Sequence, residues 1–222
     1  CDTFIANLPR GEGRCAIERL GYFAEQAIQQ IANAEQFIMV GTKAPVGFFA
    51  YPGKASEFYP QGSKLHTLAE VTEDAEDALQ KLVDELDAGQ FEVRKQLLQK
   101  PGLATGELSP KSIAGAVAEL MPANAIMVDE GGTAGSMSYP FSQTAKPHAW
   151  LTITGGSIGY GLPTALGAAV ACPERKVICL HGDGGAMYTI QSLWTMAREN
   201  LDICIVILAN RKYQILQLEL SR

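Results

Sequence analysis

The chain has 222 residues, enough for one large domain or two small ones with a substantial core. A net charge of −6 with no Lys/Arg cluster excludes an obvious nucleic-acid stripe, and no apolar run reaches membrane-spanning length. Five cysteines without a CxxC spacing exclude a zinc or disulfide framework and read as reduced thiols of a cytoplasmic protein, with Cys179 and Cys204 as small core residues.

Residues 21–42 read as helix then strand: Phe23, Ala27, Ile31 and Ala34 fall at helical spacing ahead of the run FIMVGT. A Gly/Pro-rich loop and the short strand LHTLAEV follow, which makes residues 1–72 half of an α/β domain, with too few strands to stand alone. Thr72 is placed to cap the next helix, whose apolar stripe is Ala75, Ala78, Leu79, Leu82, Val83 and Leu86. The acidic residues of that helix are explained by a solvated face. Residues 73–106 thus form a helix and an interdomain linker that closes in Pro and Gly.

From residue 107 helices and strands alternate regularly. Ser109 and Pro110 make an N-cap and N1 pair ahead of KSIAGAVAELM. The strands AIMVDE, WLTITG, KVICLHGDG and DICIVILANR are then separated by a small-residue loop and by the helices LPTALGAAVAC and YTIQSLWTMAREN. Strands apolar throughout, such as VICL, belong in a parallel sheet covered on both faces, so residues 107–222 read as α/β with a doubly wound parallel sheet. In such sheets ligands collect beyond the C-terminal strand ends. Four polar or glycine-rich turns sit there: DEGGTAG, TGGSIGYG, GDGG and ANRKY. Any single cluster would be an ordinary tight turn; four in succession point to one site. Asp183 and Asn210 offer hard oxygens of the kind Mg²⁺ prefers when it joins protein to diphosphate. GxGxxG fails at its last glycine in every candidate, and no P-loop is present.

Gly182-Asp183-Gly184, with Asn210 after 25 intervening residues, resembles the diphosphate and Mg²⁺ motif of thiamine-diphosphate-dependent enzymes. GGSIGYGLPTALGAAVA is similar to the segment just upstream in acetolactate synthases and benzoylformate decarboxylases. The resemblance covers residues 107–222 well, as the pyrophosphate domain, and makes residues 1–72 the end of the family's central, cofactor-free Rossmann-like domain.

The resemblance implies thiamine diphosphate and Mg²⁺ as cofactors. Asp183, Asn210 and the Lys212 carbonyl would hold the metal. Gly184, Gly185, Ala186, Gly132 and Thr133 would contact the diphosphate. Ile158 would impose the cofactor's V shape, with Gly156 and the Ile158 N–H serving the pyrimidine and Tyr213 touching the cofactor. It also implies a 2-oxo acid substrate, a homodimer or homotetramer with the site between subunits, and no nucleic-acid or membrane partner. The activating Glu would come from an N-terminal domain that these residues do not include. Together with a first residue that is Cys and a last stretch that stops in a helix start, this predicts a piece of a longer protein.

An acetolactate-synthase-like transferase ranks first and a benzoylformate-decarboxylase-like lyase second. Leu216 stands where pyruvate decarboxylases carry a catalytic Glu, Glu219 where acetolactate synthases carry a Trp, and Ala209-Asn210 replaces the usual Asn pair. Readings from other classes are a nucleotide- or flavin-binding module without metal and a catalytically silent or regulatory homologue. Glu130, at a strand end beside the diphosphate loop, is assigned a supporting place. His181 is open to a place at the site or to strand-end packing, nothing links His148 or His66 to a nucleophile, and Trp194 is read as core with Ile190, Leu193 and Ala197.

Overall fold

From Pro110 onward helices and strands follow one another as the hydrophobic pattern requires. In a computed structural model, which describes residues 1–221, the elements in order are β1 (Asn7–Arg10), α1 (Ala24–Ile31), β2 (Gln36–Val40), β3 (Lys64–Ala69), α2 (Ala75–Glu85), α3 (Pro110–Leu120), β4 (Ala125–Glu130), α4 (Ser138–Ser142), β5 (His148–Thr152), α5 (Gly161–Ala171), β6 (Val177–Gly182), α6 (Asp183–Ala186), α7 (Ser192–Arg198), β7 (Ile203–Leu208) and α8 (Gln214–Leu220). None of these helices is long and apolar enough to cross a membrane.

The chain divides into two compact units, Cys1–Thr3 with Ile17–Val93, and Phe4–Ala16 with Arg94 onward. These boundaries differ from the expected ones at 72 and 106. Residues 7–10 form an edge strand antiparallel to β5, with Leu8 opposite Trp150, so they belong to the second unit. Pro9 is tolerated there because an edge strand has one free side. The segment after α2 joins the second unit through backbone bonds, Gln96 N–H to the Arg14 carbonyl and Gln99 N–H to the Thr144 carbonyl, both 2.8 Å.

In the first unit β2 and β3 pair in parallel, and Ala24, Ala27 and Phe58 form a small core with Leu20, Ile28, Ile31 and Tyr51. Asp74, not Thr72, caps α2, accepting the Asp77 N–H at 3.0 Å. None of the α2 stripe is buried.

The second unit is a five-stranded sheet in the order β1-β5-β4-β6-β7, parallel except at β1. Side chains alternate across it. On one face Met127, Trp150 and Leu180 pack with Ala118 and Met121 from α3 and its C-terminus and with Tyr139 of α4. On the other, Ile126, Val128, Val177 and Cys179 pack with Leu162, Ala165 and Ala169 of α5 and Met196 of α7. Helices therefore cover both faces, as a doubly wound sheet demands. Ser109 caps α3 with Pro110 at N1, as the sequence predicts, and Ser112 completes a capping box.

Two expectations fail here. Trp194 is 65% exposed, with Ile190 and Leu193 also exposed, because the helix starts only at Ser192 and turns Met196 inward instead. Trp194 stacks under Arg198, 4.8 Å from its ring centre. Cys179 is core, its thiol pushed up to about 12 chiefly by burial, but Cys204 on the edge strand β7 is exposed.

Candidate functional site

From β4 the chain turns through α4 to β5 on one side; from β6 it runs through α6 and α7 to β7 on the other. The two connections lie on opposite faces of the sheet. They diverge past the C-terminal ends of β4 and β6, the place where such sheets bind ligands.

Asp183 opens α6 directly after β6, and Asn210 lies just beyond β7. The Arg211 N–H donates to Asp183 Oδ2 at 3.1 Å, which brings the two motif residues to one loop junction. Asn210 Oδ1 accepts the Lys212 N–H at 3.1 Å, and its amide nitrogen donates to Gln214 Oε1 at 3.2 Å. That orientation leaves a carboxylate oxygen of Asp183 and lone pairs on Asn210 Oδ1 as hard donors. No group of three or more His, Cys, Asp and Glu able to hold a metal occurs among the described residues. The oxygen set here contains a single carboxylate, an amide and a carbonyl, so it suits Mg²⁺ and not zinc.

The turn after β4 is drawn tight by Gly135 N–H to the Gly131 carbonyl, 3.0 Å, with Gly132 at φ +55 and open space above it. Thr133 donates its hydroxyl to Gln214 Oε1 at 3.4 Å, so Gln214 touches the loops after both β4 and β7. Sequence reasoning missed Gln214; its place directly after Tyr213 carried no local signal. Gly184 faces open space, Ala186 is buried, and Tyr213 is exposed at the start of α8.

The loop 155–161 carries Ile158, 46% exposed despite its apolar side chain, with Gly156 at φ +68 beside it. Beneath it lie Glu130 and His181, opposite each other in the β4–β6 register and both buried. Glu130 accepts the Gly159 N–H on Oε1 and the Gly161 N–H on Oε2, each at 2.6 Å. The His181 Nδ1–H donates to the Gly182 carbonyl at 3.1 Å, the sense a carbonyl acceptor requires. Its Nε2 stands 3.0 Å from Glu130 Oε2 without hydrogen-bond alignment, so this is a packing contact, since distance alone does not make the bond. The pair also explains two glycines. A Cβ on Gly161 would lie 2.7 Å from His181 Cδ2, and one on Gly185 2.8 Å from Glu130 Oε1. His181 is thus packed at the strand end, fully buried. His148 is buried at the start of β5, while His66 is exposed on β3 and meets Gln36 at 3.2 Å.

Residues 130–221 match the family model for the C-terminal TPP binding domain of thiamine pyrophosphate enzymes. These residues carry the C-terminal TPP binding domain of thiamine pyrophosphate enzymes. The chain is 48% identical over its whole length to a Mycobacterium tuberculosis protein provisionally named as the acetolactate synthase large subunit IlvX, of which it spans 43%. It is 30% identical to the Pseudomonas aeruginosa benzoylformate decarboxylase over 63% of this chain and 27% of that one. The thiamine diphosphate-dependent 4-hydroxybenzoylformate decarboxylase of Rhodococcus jostii RHA1 shares the fold, with a TM-score of 0.71 at 23% identity, covering 91% of this chain and 41% of that one.

Proposed function

We propose that these residues form the cofactor-diphosphate and Mg²⁺ half of an acetolactate-synthase-like enzyme, which decarboxylates a 2-oxo acid and joins the remainder to a second one. The observation that carries this is the meeting of Asp183 with the 210–212 loop through the Arg211 N–H. It is supported by the 48% identity over the whole chain to the M. tuberculosis protein.

Asp183, Asn210 and the Lys212 carbonyl would hold Mg²⁺, and Gly132, Thr133, Gly184, Gly185 and Ala186 would border the diphosphate. Gly156 and Ile158 would support the rest of the cofactor, with Tyr213 at its flank. When bound, thiamine diphosphate supplies the electron sink for loss of CO₂ from a 2-oxo acid. The protein's part is to bind, to orient and to keep water from the apolar flank that Ile158 provides. Proton transfer would depend on a Glu from an N-terminal domain of a neighbouring subunit, in a homodimer or homotetramer of a cytoplasmic protein.

A benzoylformate-decarboxylase-like lyase is the second reading, favoured by the 30% identity to the P. aeruginosa enzyme and by Glu219 in place of the acetolactate-synthase Trp. A flavin or nucleotide module has lost its support to the family match.

The test is calorimetric titration of thiamine diphosphate into the full-length protein with Mg²⁺ and with EDTA, alongside Asp183→Ala. Binding that needs Mg²⁺ and disappears in the variant supports the reading; binding indifferent to both sinks the metal clamp. Assays with pyruvate and with benzoylformate then separate the two reactions, and tight binding with neither activity leaves a silent homologue.

A further inference from the structure

Gly159 is gripped from two sides. Its N–H donates to Glu130 Oε1 at 2.6 Å, and its carbonyl accepts the Thr189 hydroxyl at 2.7 Å. Two residues on, the Gly161 N–H, one of the unpaired donors at the start of α5, closes on Glu130 Oε2. Gly159 has φ +91 and a Cβ there would lie 2.7 Å from Tyr188 Cβ, so the gripped conformation admits only glycine. Directly before these anchors Ile158 stands out toward solvent while Gly159 and Gly161 are buried.

A carboxylate 8% exposed is costly in an apolar layer unless hydrogen bonds compensate it. Glu130 continues the face of Ile126 and Val128, and packing alone would be served by another aliphatic residue. Two short charge-assisted bonds to one loop give the carboxylate a different purpose. They hold one backbone amide of the loop that carries Ile158 and the amide at the first position of α5, where that loop ends.

We propose that Glu130, with Thr189 opposite it, is a positioning residue of the cofactor site: it fixes the loop 155–161 in the ligand-free protein, so that Ile158 and Gly156 are already in place when thiamine diphosphate arrives. This rests on the functional reading above. A loop ordered in advance spares binding the cost of ordering it. The Glu130–His181 pair, wedged against Gly161 and Gly185, joins the turns after β4, β5 and β6 into one support.

Amide hydrogen exchange on the ligand-free full-length protein, followed by calorimetric titration with thiamine diphosphate and Mg²⁺, tests this in Glu130→Gln and Thr189→Val. Glu130→Gln keeps the size but cannot accept both N–H groups. Exchange at Gly159 and Gly161 should rise about tenfold while Val128 and Leu180 keep their protection, and the cofactor Kd should rise about tenfold. Thr189→Val should loosen the same loop from the other side, and it carries the test alone if Glu130→Gln does not fold. Unchanged loop exchange overturns the proposal. So does a loosened loop with unchanged affinity, or faster exchange spread through β4 and β6, which would mean Glu130 only holds the fold. Failure of the unaltered protein to bind the cofactor would sink the functional reading, and this role with it; normal binding by the unaltered protein and by both variants would sink this role alone.

Discussion

The backbone N–H of Arg211 donates to the carboxylate of Asp183 at 3.1 Å, across a gap of twenty-odd residues in sequence. The strand ends of β6 and β7 are neighbours in the sheet, so the pleat delivers both loops to the same edge. Arg211 pays for this with a left-handed backbone, φ +54, that a non-glycine residue adopts at about 1–2 kcal/mol.

The backbone of Arg211, not its side chain, therefore makes the junction. Arg211→Gly keeps the N–H and relieves the φ, so Mg²⁺-dependent binding of thiamine diphosphate should be retained and stability should rise by up to about 1 kcal/mol. Arg211→Pro removes the donor and forbids positive φ, so binding should fall by at least about tenfold. Titration of both variants decides it; equal loss in both would assign the junction to the guanidinium.

Two site glycines should respond oppositely to the same methyl group. Gly161→Ala drives a Cβ to within 2.7 Å of His181 Cδ2 and 3.2 Å of Glu130 Cβ, both fixed by burial, and should cost about 1–3 kcal/mol. Gly184→Ala meets nothing within 4 Å at a negative φ, and should stay within about 0.5 kcal/mol of the unaltered chain. Urea unfolding of the two variants tests the contrast. A tolerated Gly161→Ala would show that the Glu130–His181 pair has room to move.

How much of this was legible in the sequence follows from the range of the forces involved. The Ser109 cap, the strands at 125–130 and 203–208, and the glycine-rich strand ends are written in neighbouring residues, and they stand where the pattern puts them. The loops that carry Asp183 and Asn210 come together through the Arg211 N–H because parallel strands align their ends. The antiparallel edge at 7–10 was not legible. Four residues with one proline carry no period, and their partner β5 lies more than a hundred residues away. Trp194 was misplaced for a related reason. An amphipathic stripe gives a period but not a starting phase, and the chain bends through turns until Ser192 before the helix begins. The double grip on Gly159 depends on Thr189 from a distant loop, which no local pattern marks.

Ile158 should matter for binding and little for folding. At 46% exposed it contributes little to the core, so Ile158→Ala should change the unfolding free energy by less than about 1 kcal/mol. The same change removes the exposed apolar side chain on the loop after β5, and under the proposed function the thiamine diphosphate Kd should rise about tenfold. A large stability loss with unchanged Kd would make Ile158 a packing residue.

His148 provides a pH signature of the second unit. Its side chain is buried, its Nδ1–H bonded to the Lys146 carbonyl at 2.8 Å and its Nε2 without a partner, with Trp150 edge-on at 6.0 Å. Burial lowers its pKa below the ordinary 6.5, the bond to Lys146 opposes this, and the nearby Arg10 charge adds to the lowering. The unfolded chain therefore takes up a proton near pH 6.5 that the folded chain refuses. Stability is complete above that pH and declines as pH falls toward the lower folded value, by at most about 1.4 kcal/mol per pH unit for this one proton. Urea midpoints measured from pH 7.5 to 5.5 should fall for the unaltered chain and fall less for His148→Gln. Equal slopes would mean that water reaches the imidazole and lets it titrate freely in the folded state.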